Sequence, residues 1–152
     1  MHQGSCLCGA IKYEIKSDLK AILHCHCKFC SRAHGTAFVT LLLMQASDLR
    51  IVQGEDALGT FHVDVTGVDR CFCLKCGTRL YNHVPSAGRL SLVVATLQTD
   101  EILHPIAHCN TESKCSWYKI NDDLPQFMKA PSPAELKELL SKITSVPYAN
   151  RR

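Results

Sequence analysis

Cys6-Leu7-Cys8-Gly9-Ala10-Ile11-Lys12-Tyr13 and Cys73-Leu74-Lys75-Cys76-Gly77-Thr78-Arg79-Leu80-Tyr81 share one plan: a thiol pair, a glycine, then a strand-like run closing on tyrosine. Thiols this close in sequence cannot bridge to each other without strain, yet they are well placed to converge on one ion. Zinc takes thiolate sulfur in a tetrahedron, usually from knuckles a few residues wide. The glycine after each pair permits the turn that aims backbone amides at sulfur. Cys6, Cys8, Cys73 and Cys76 therefore read as a closed four-thiolate site that clamps two distant strands and leaves no room for a substrate. Cys71 competes with Cys73 for this role, and only Cys73 keeps the two-residue spacing of the knuckle.

Outward from these segments, a third cluster holds Cys25, Cys27 and Cys30. Three protein ligands leave the fourth coordination place to something exogenous, which is the arrangement of catalytic sites. The competing reading is that His24, His26 or His34 closes the site. An iron–sulfur corner would need its fourth cysteine from Cys71, Cys109 or Cys115, which otherwise read as small hydrophobes or surface thiols. Ten cysteines would also make five disulfides in a secreted scaffold. The start of the chain lacks the basic-then-apolar pattern of an export signal, and cytosolic thiols stay reduced, so chelation in the cytoplasm is the preferred reading.

The remaining composition is ordinary. The 152 residues are 46% hydrophobic and 20% charged, which fits one globular domain and excludes wholesale disorder. Apolar runs such as Leu41 to Met44 fall far short of the roughly 20 residues of a membrane span. A net charge of +3 without a clustered basic run argues against a nucleic-acid partner. Ile11, Tyr13 and Ile15 alternate with charged residues as in a half-buried strand. Further short strands are expected at 37–44, 49–52, 59–65, 79–84 and 90–95, the last two joined by the turn Pro85-Ser86-Ala87-Gly88. One helix is expected: Ser132-Pro133-Ala134-Glu135 is a capping box, and Leu136, Leu139, Leu140 and Ile143 share a face.

The motifs together resemble the glutathione-dependent formaldehyde-activating enzyme family. Gly4 to Tyr13 is similar to its opening, Cys25-His26-Cys27-Lys28-Phe29-Cys30-Ser31-Arg32 to its central motif, and Phe72 to Thr78 to its third. The stretch from Ser113 to Phe127, with Trp117 and Asp122-Asp123-Leu124-Pro125, resembles its close. Cys109 and Cys115 depart from the family's usual residues. The resemblance implies a mostly-β, zinc-stabilised antiparallel β-tent of short strands over 1–130, followed here by a C-terminal helix at 131–147 and a tail at 148–152. It implies two zinc ions, one on Cys6, Cys8, Cys73 and Cys76 and one on Cys25, Cys27 and Cys30. The implied activity is that of a carbon–sulfur lyase joining glutathione and formaldehyde as S-hydroxymethylglutathione.

For such a reaction, zinc at the three-cysteine site would deliver glutathione as thiolate or polarise the aldehyde; an ion already facing three thiolates favours the first. Lys28, Arg32 and Lys114 are the candidate clamps for glutathione's carboxylates, each weighed against being a solvated surface charge. Trp117 or Tyr118 would be an apolar wall, with core packing the commoner role for a tryptophan. His26 is a candidate proton relay or a brace for a thiolate. His34, His104 and His108 read as lone structural histidines, and Asp122 and Asp123 as a turn. Alternatives to the enzyme are a non-catalytic zinc module that binds glutathione or stores metal, and an interaction domain on a protein or chromatin partner, as the related centromere protein V suggests.

Overall fold

A computed structural model describes residues 1–145. Eleven strands and two helices follow the chain: β1 (His2–Ser5), β2 (Lys12–Ile15), β3 (Ile22–Cys25), α1 (Lys28–His34), β4 (Val39–Gln45), β5 (Leu49–Gln53), β6 (Leu58–Val63), β7 (Val68–Cys73), β8 (Arg79–Val84), β9 (Arg89–Val93), β10 (Leu97–Gln98), β11 (Ala107–Cys109) and α2 (Pro133–Ser145). They form a four-stranded sheet ordered β10-β1-β2-β5 and a seven-stranded sheet ordered β11-β3-β4-β9-β8-β7-β6. The protein is mostly β and its pairings are antiparallel, except that β11 lies parallel to β3.

Alternation sorts the side chains of the large sheet into two dry faces. Ile22, Leu42, Met44, Leu90 and Leu92 turn to one side, where they meet Ile11, Tyr13 and Ile15 from the small sheet. Leu23, Val39, Leu41 and Val93 turn to the other, where Leu136, Leu139, Leu140 and Ile143 of α2 cover them. This explains why β4 reads as almost uniformly apolar: a strand buried on both faces has no polar side to alternate with. Cys6 and Cys73 sit in the first core, and Cys25, Cys30 and Cys109 in the second.

The six expected strands are all present, within a few residues of their expected ends. Five others are additional. β1 and β10 are short members of the small sheet, and β11 spans only three residues. β7 hides behind Asp69 and Arg70 and a register shift between Cys71 and Phe72. β3 merges into what reads as a ligand loop. The additional helix α1 has only seven residues, and a thiol caps it: Cys27 Sγ accepts from the backbone N–H of Cys30 at 3.3 Å. No cap preference built on Ser, Thr, Asp or Asn would mark it.

The capping box of α2 is reciprocal. The N–H and hydroxyl of Ser132 donate to Glu135 Oε2 at 2.7 and 2.6 Å, and the N–H of Glu135 returns to Ser132 Oγ at 3.3 Å. The tail expected at 148–152, and the last two residues of the helix expected at 131–147, lie outside the described residues. Among the described residues no helix is long and apolar enough to cross a membrane.

Candidate functional site

The two matching segments form matching turns. Gly9 and Gly77 both take left-handed conformations, with φ of 73° and 74°. Their N–H groups return to the carbonyls of Cys6 and Cys73 at 3.0 and 2.8 Å. The turns bring Cys6, Cys8, Cys73 and Cys76 together with every Sγ within 4.8 Å of the others. Cys6 and Cys8 stand 3.6 Å apart and Cys8 and Cys73 3.9 Å. A tetrahedron with arms of about 2.3 Å has edges of about 3.8 Å, so these sulfurs are already spaced for an ion such as zinc.

Thr78 joins the two knuckles. Its hydroxyl accepts the N–H of Leu7 at 3.1 Å, which leaves its own hydrogen for Cys76 Sγ at 3.1 Å. That hydroxyl, with the Thr78 amide, brings the Cys76 thiol down to about 5. Cys6 Sγ accepts the N–H of Ile11 at 3.2 Å. Cys71 points elsewhere, to Thr60 Oγ1 at 3.7 Å, so Cys73 is the member of the cluster.

The second group is Cys25, Cys27 and Cys30, also with each Sγ within 4.8 Å of the others. Cys25 ends β3, Cys27 caps α1 and Cys30 lies one turn inside it. Among the described residues no histidine belongs to this group. His24 Nδ1 faces Thr40 Oγ1 at 3.0 Å, and His26 Nε2 faces His108 Nδ1 at 2.8 Å. The donor set is soft and anionic, as zinc or another thiophilic ion prefers. Both clusters could hold a metal ion.

Arg70 and Asn110 went unread in the sequence, and a third neighbour, Cys109, was weighed there only as a possible fourth cysteine of an iron–sulfur corner. Arg70, only 7% exposed, places Nη1 and Nη2 4.0 and 3.9 Å from Cys30 Sγ, with Nη1 also donating to Asn82 Oδ1 at 3.2 Å. A buried guanidinium needs an anion beside it, and among the described residues it pairs with no carboxylate. Cys109, expected as an ordinary hydrophobe or surface thiol, is buried opposite Cys25, because the parallel β11 and β3 align these two residues. Asn110 Nδ2 donates to both sulfurs, at 3.4 Å to Cys25 and 3.5 Å to Cys109. Asn110 is the only non-glycine residue with positive φ among those described, at 57°.

Without a cation, such neighbours cannot all ionise. Hydrogen bonds from Cys109, Cys27 and Cys30 hold Cys25 far below the usual thiol range. The Cys25 and Cys27 sulfurs push Cys30 up, and Cys25 and burial push Cys109 up. A bound ion removes that competition, since metal coordination deprotonates a thiol outright.

On the other face of β3, His108 is no lone histidine. Its Nε2 lies 3.0 Å from both carboxylate oxygens of Asp122. The carboxylate can only accept, so His108 donates from Nε2, and its Nδ1 shares a hydrogen bond with His26 Nε2. The chain ends at His26 Nδ1, a buried ring nitrogen with no partner among the described residues. Asp122 also makes the expected turn, accepting the N–H of Leu124 at 3.1 Å.

The candidate glutathione contacts are spread out. Lys28 and Arg32 are exposed on α1. Lys114 Nζ is tied to the carbonyl of Tyr118 at 2.9 Å. Trp117 is 73% exposed, so core packing is not its role; it meets Tyr118 edge-on at 6.5 Å. Tyr118 in turn lies against Phe38 and His26, at 5.3 and 6.0 Å between ring centres.

A profile of the glutathione-dependent formaldehyde-activating enzyme family matches residues 1–113, a span that contains both cysteine clusters and Cys109. The chain belongs to that family. A Halomonas elongata protein whose name also refers to glutathione-dependent formaldehyde activation is 24% identical over 125 residues, covering 78% of this chain and 80% of its own. A crystal structure of a Rhodobacter sphaeroides protein superposes with a TM-score of 0.56 at 25% identity, over 65% of this chain and 90% of that one. In this member of the formaldehyde-activating family, Arg70, Cys109 and Asn110 complete the surroundings of the three-cysteine group.

Proposed function

We propose that this chain is a zinc-dependent carbon–sulfur lyase that forms and cleaves S-hydroxymethylglutathione, with Cys25, Cys27 and Cys30 as its reactive centre. The observation that carries the reading is a soft three-sulfur group backed by a buried guanidinium, beside a separate four-sulfur group suited to structural duty. In the forward direction the glutathione sulfur bonds to the formaldehyde carbon, the carbonyl π bond opens, and the thiol proton ends on the new hydroxyl oxygen.

A free thiol near pKa 8.5 supplies only a few per cent thiolate at neutral pH. Zinc held by the three cysteines would supply the acidity that turns a coordinated thiol into thiolate. The chain's own residues do the rest. Arg70 offsets the excess negative charge, Cys27 and Cys30 hold the start of α1 against β3, and Lys28, Arg32 and Lys114 offer cations to glutathione's two carboxylates. Trp117 and Tyr118 would form its apolar wall, and the Asp122–His108–His26 chain braces the strand end that carries the thiols. Residues 1–130 form the zinc-binding unit, and the helix beyond it closes the second core. Ten free thiols suit a reducing compartment, so we place the protein in the cytoplasm.

The alternative reading, a non-catalytic zinc module that binds glutathione or a partner protein, is favoured by one observation, the fourth sulfur of Cys109 beside the group. Formation of S-hydroxymethylglutathione, measured against the spontaneous reaction, separates the two. Wild type should exceed that background, and Cys27→Ala should fall to it while losing one of two zinc ions and keeping its circular dichroism. Equal rates, or two ions retained in Cys27→Ala, would overturn the proposal.

A further inference from the structure

The three-cysteine group has a fourth sulfur poised at its edge. Cys109 and Cys25 are aligned neighbours on parallel strands, both buried, and one amide, Asn110 Nδ2, serves both sulfurs. Asn110 takes a left-handed conformation, which asparagine adopts more readily than most L-residues. N–H donation to sulfur is what stabilises a thiolate, and a buried thiol packed only as a hydrophobe has no use for it. Cys25 Sγ therefore has sulfur on several sides: Cys27 and Cys30 within the group, and Cys109 across the strand pair. In a tetrahedral ligand set each vertex faces three others, and Cys25 has three such neighbours. Cys109 Sγ does not lie within 4.8 Å of all three, so ligation would require it to move towards the group.

We propose that Cys109 is the resting fourth ligand of the second metal site and that an incoming small-molecule thiol takes its place. This rests on the reading of that site as a thiol-binding zinc centre and adds how it is guarded. With Cys109 in place an ion bound there would keep four sulfurs, and water would be denied the position. When the substrate thiol binds, its proton goes to the displaced Cys109. Such an exchange would conserve bonds and charge: one sulfur–metal bond would break as another formed, and one proton would change hands. Arg70, against Cys30, balances part of the negative charge of a four-thiolate set.

Cobalt(II) in place of zinc reports the ligand set directly, because sulfur-to-cobalt charge-transfer absorption grows with each thiolate bound. The full chain is loaded with cobalt as wild type, Cys109→Ala, Cys109→Ser and the control Cys115→Ala, each checked for folding by circular dichroism. Without glutathione, both Cys109 variants should lose one thiolate's share of the charge-transfer intensity, and Cys115→Ala should lose none. Adding glutathione should leave the wild-type spectrum nearly unchanged, since thiol replaces thiol, and restore the lost intensity in the Cys109 variants. Identical spectra for wild type and a folded Cys109→Ser before glutathione would overturn the proposal. Intensity that is lost in the variants but not restored by glutathione would leave Cys109 as the ligand and overturn the thiol-binding reading instead.

Discussion

Replacing Arg70 by glutamine removes one charge from the second site while keeping an amide within reach of Asn82. The contacts of 4.0 and 3.9 Å to Cys30 Sγ set the scale. Two unit charges about 4 Å apart interact by about 4 kcal/mol at an effective dielectric of about 20. The guanidinium charge is spread over three nitrogens, however, and the excess negative charge of a metal–thiolate group over several sulfurs. Centre-to-centre separations nearer ~7 Å bring the figure to about 2–3 kcal/mol. That corresponds to a metal dissociation constant roughly 30- to 150-fold weaker. Competition against a chromophoric chelator should resolve two zinc-binding steps in wild type, with only the second weakened in Arg70→Gln. Arg70→Lys, which keeps the charge, should recover most of the loss. The effect should also persist at high salt, because the group is buried and poorly screened. A second step unchanged within threefold in Arg70→Gln would show that the guanidinium is held for packing against Phe29, 6.0 Å away, and would refute the electrostatic argument.

Two further outcomes concern the fold. Burial brings His24 and His34 down to about 4, with His108 adding to the effect at His24 and Arg70 at His34. Between about pH 6.5 and 4 the unfolded chain therefore binds protons that the folded one refuses, and stability falls as pH falls, by about 1.4 kcal/mol per pH unit for each histidine. Denaturant titrations should show a shallower acid slope for His34→Gln, and parallel slopes would contradict the assignment. Ser132→Ala removes both halves of the α2 cap that run through its hydroxyl, a loss of about 1 kcal/mol. Amide exchange should quicken along α2 and leave the small sheet unaffected; unchanged protection in α2 would mean that its apolar face alone sets the helix.

What the sequence disclosed, it disclosed through local rules. Alternation at Ile11, Tyr13 and Ile15, the glycine that follows each knuckle and the box at Ser132 to Glu135 each encode their geometry within a few residues. The pieces that escaped depend on distant partners. Arg70 looks like the solvent-facing member of an alternating strand until the second thiol group arrives beneath it. His108 looks solitary because His26 and Asp122 reach it from elsewhere in the chain. Cys109 was visible as a departure from the family's usual residue, but its neighbour was not. A three-residue parallel strand carries no periodicity of its own, and only the topology of the sheet decides that it lies beside β3.

The two-faced large sheet has an evolutionary consequence. With one cysteine group rooted in each core and a single layer of backbone between them, damage on one side need not spread to the other. Changes around Cys25 can then accumulate while the core that holds Cys6 and Cys73 stays intact. A scaffold partitioned in this way can acquire new duties without first having to learn to fold again.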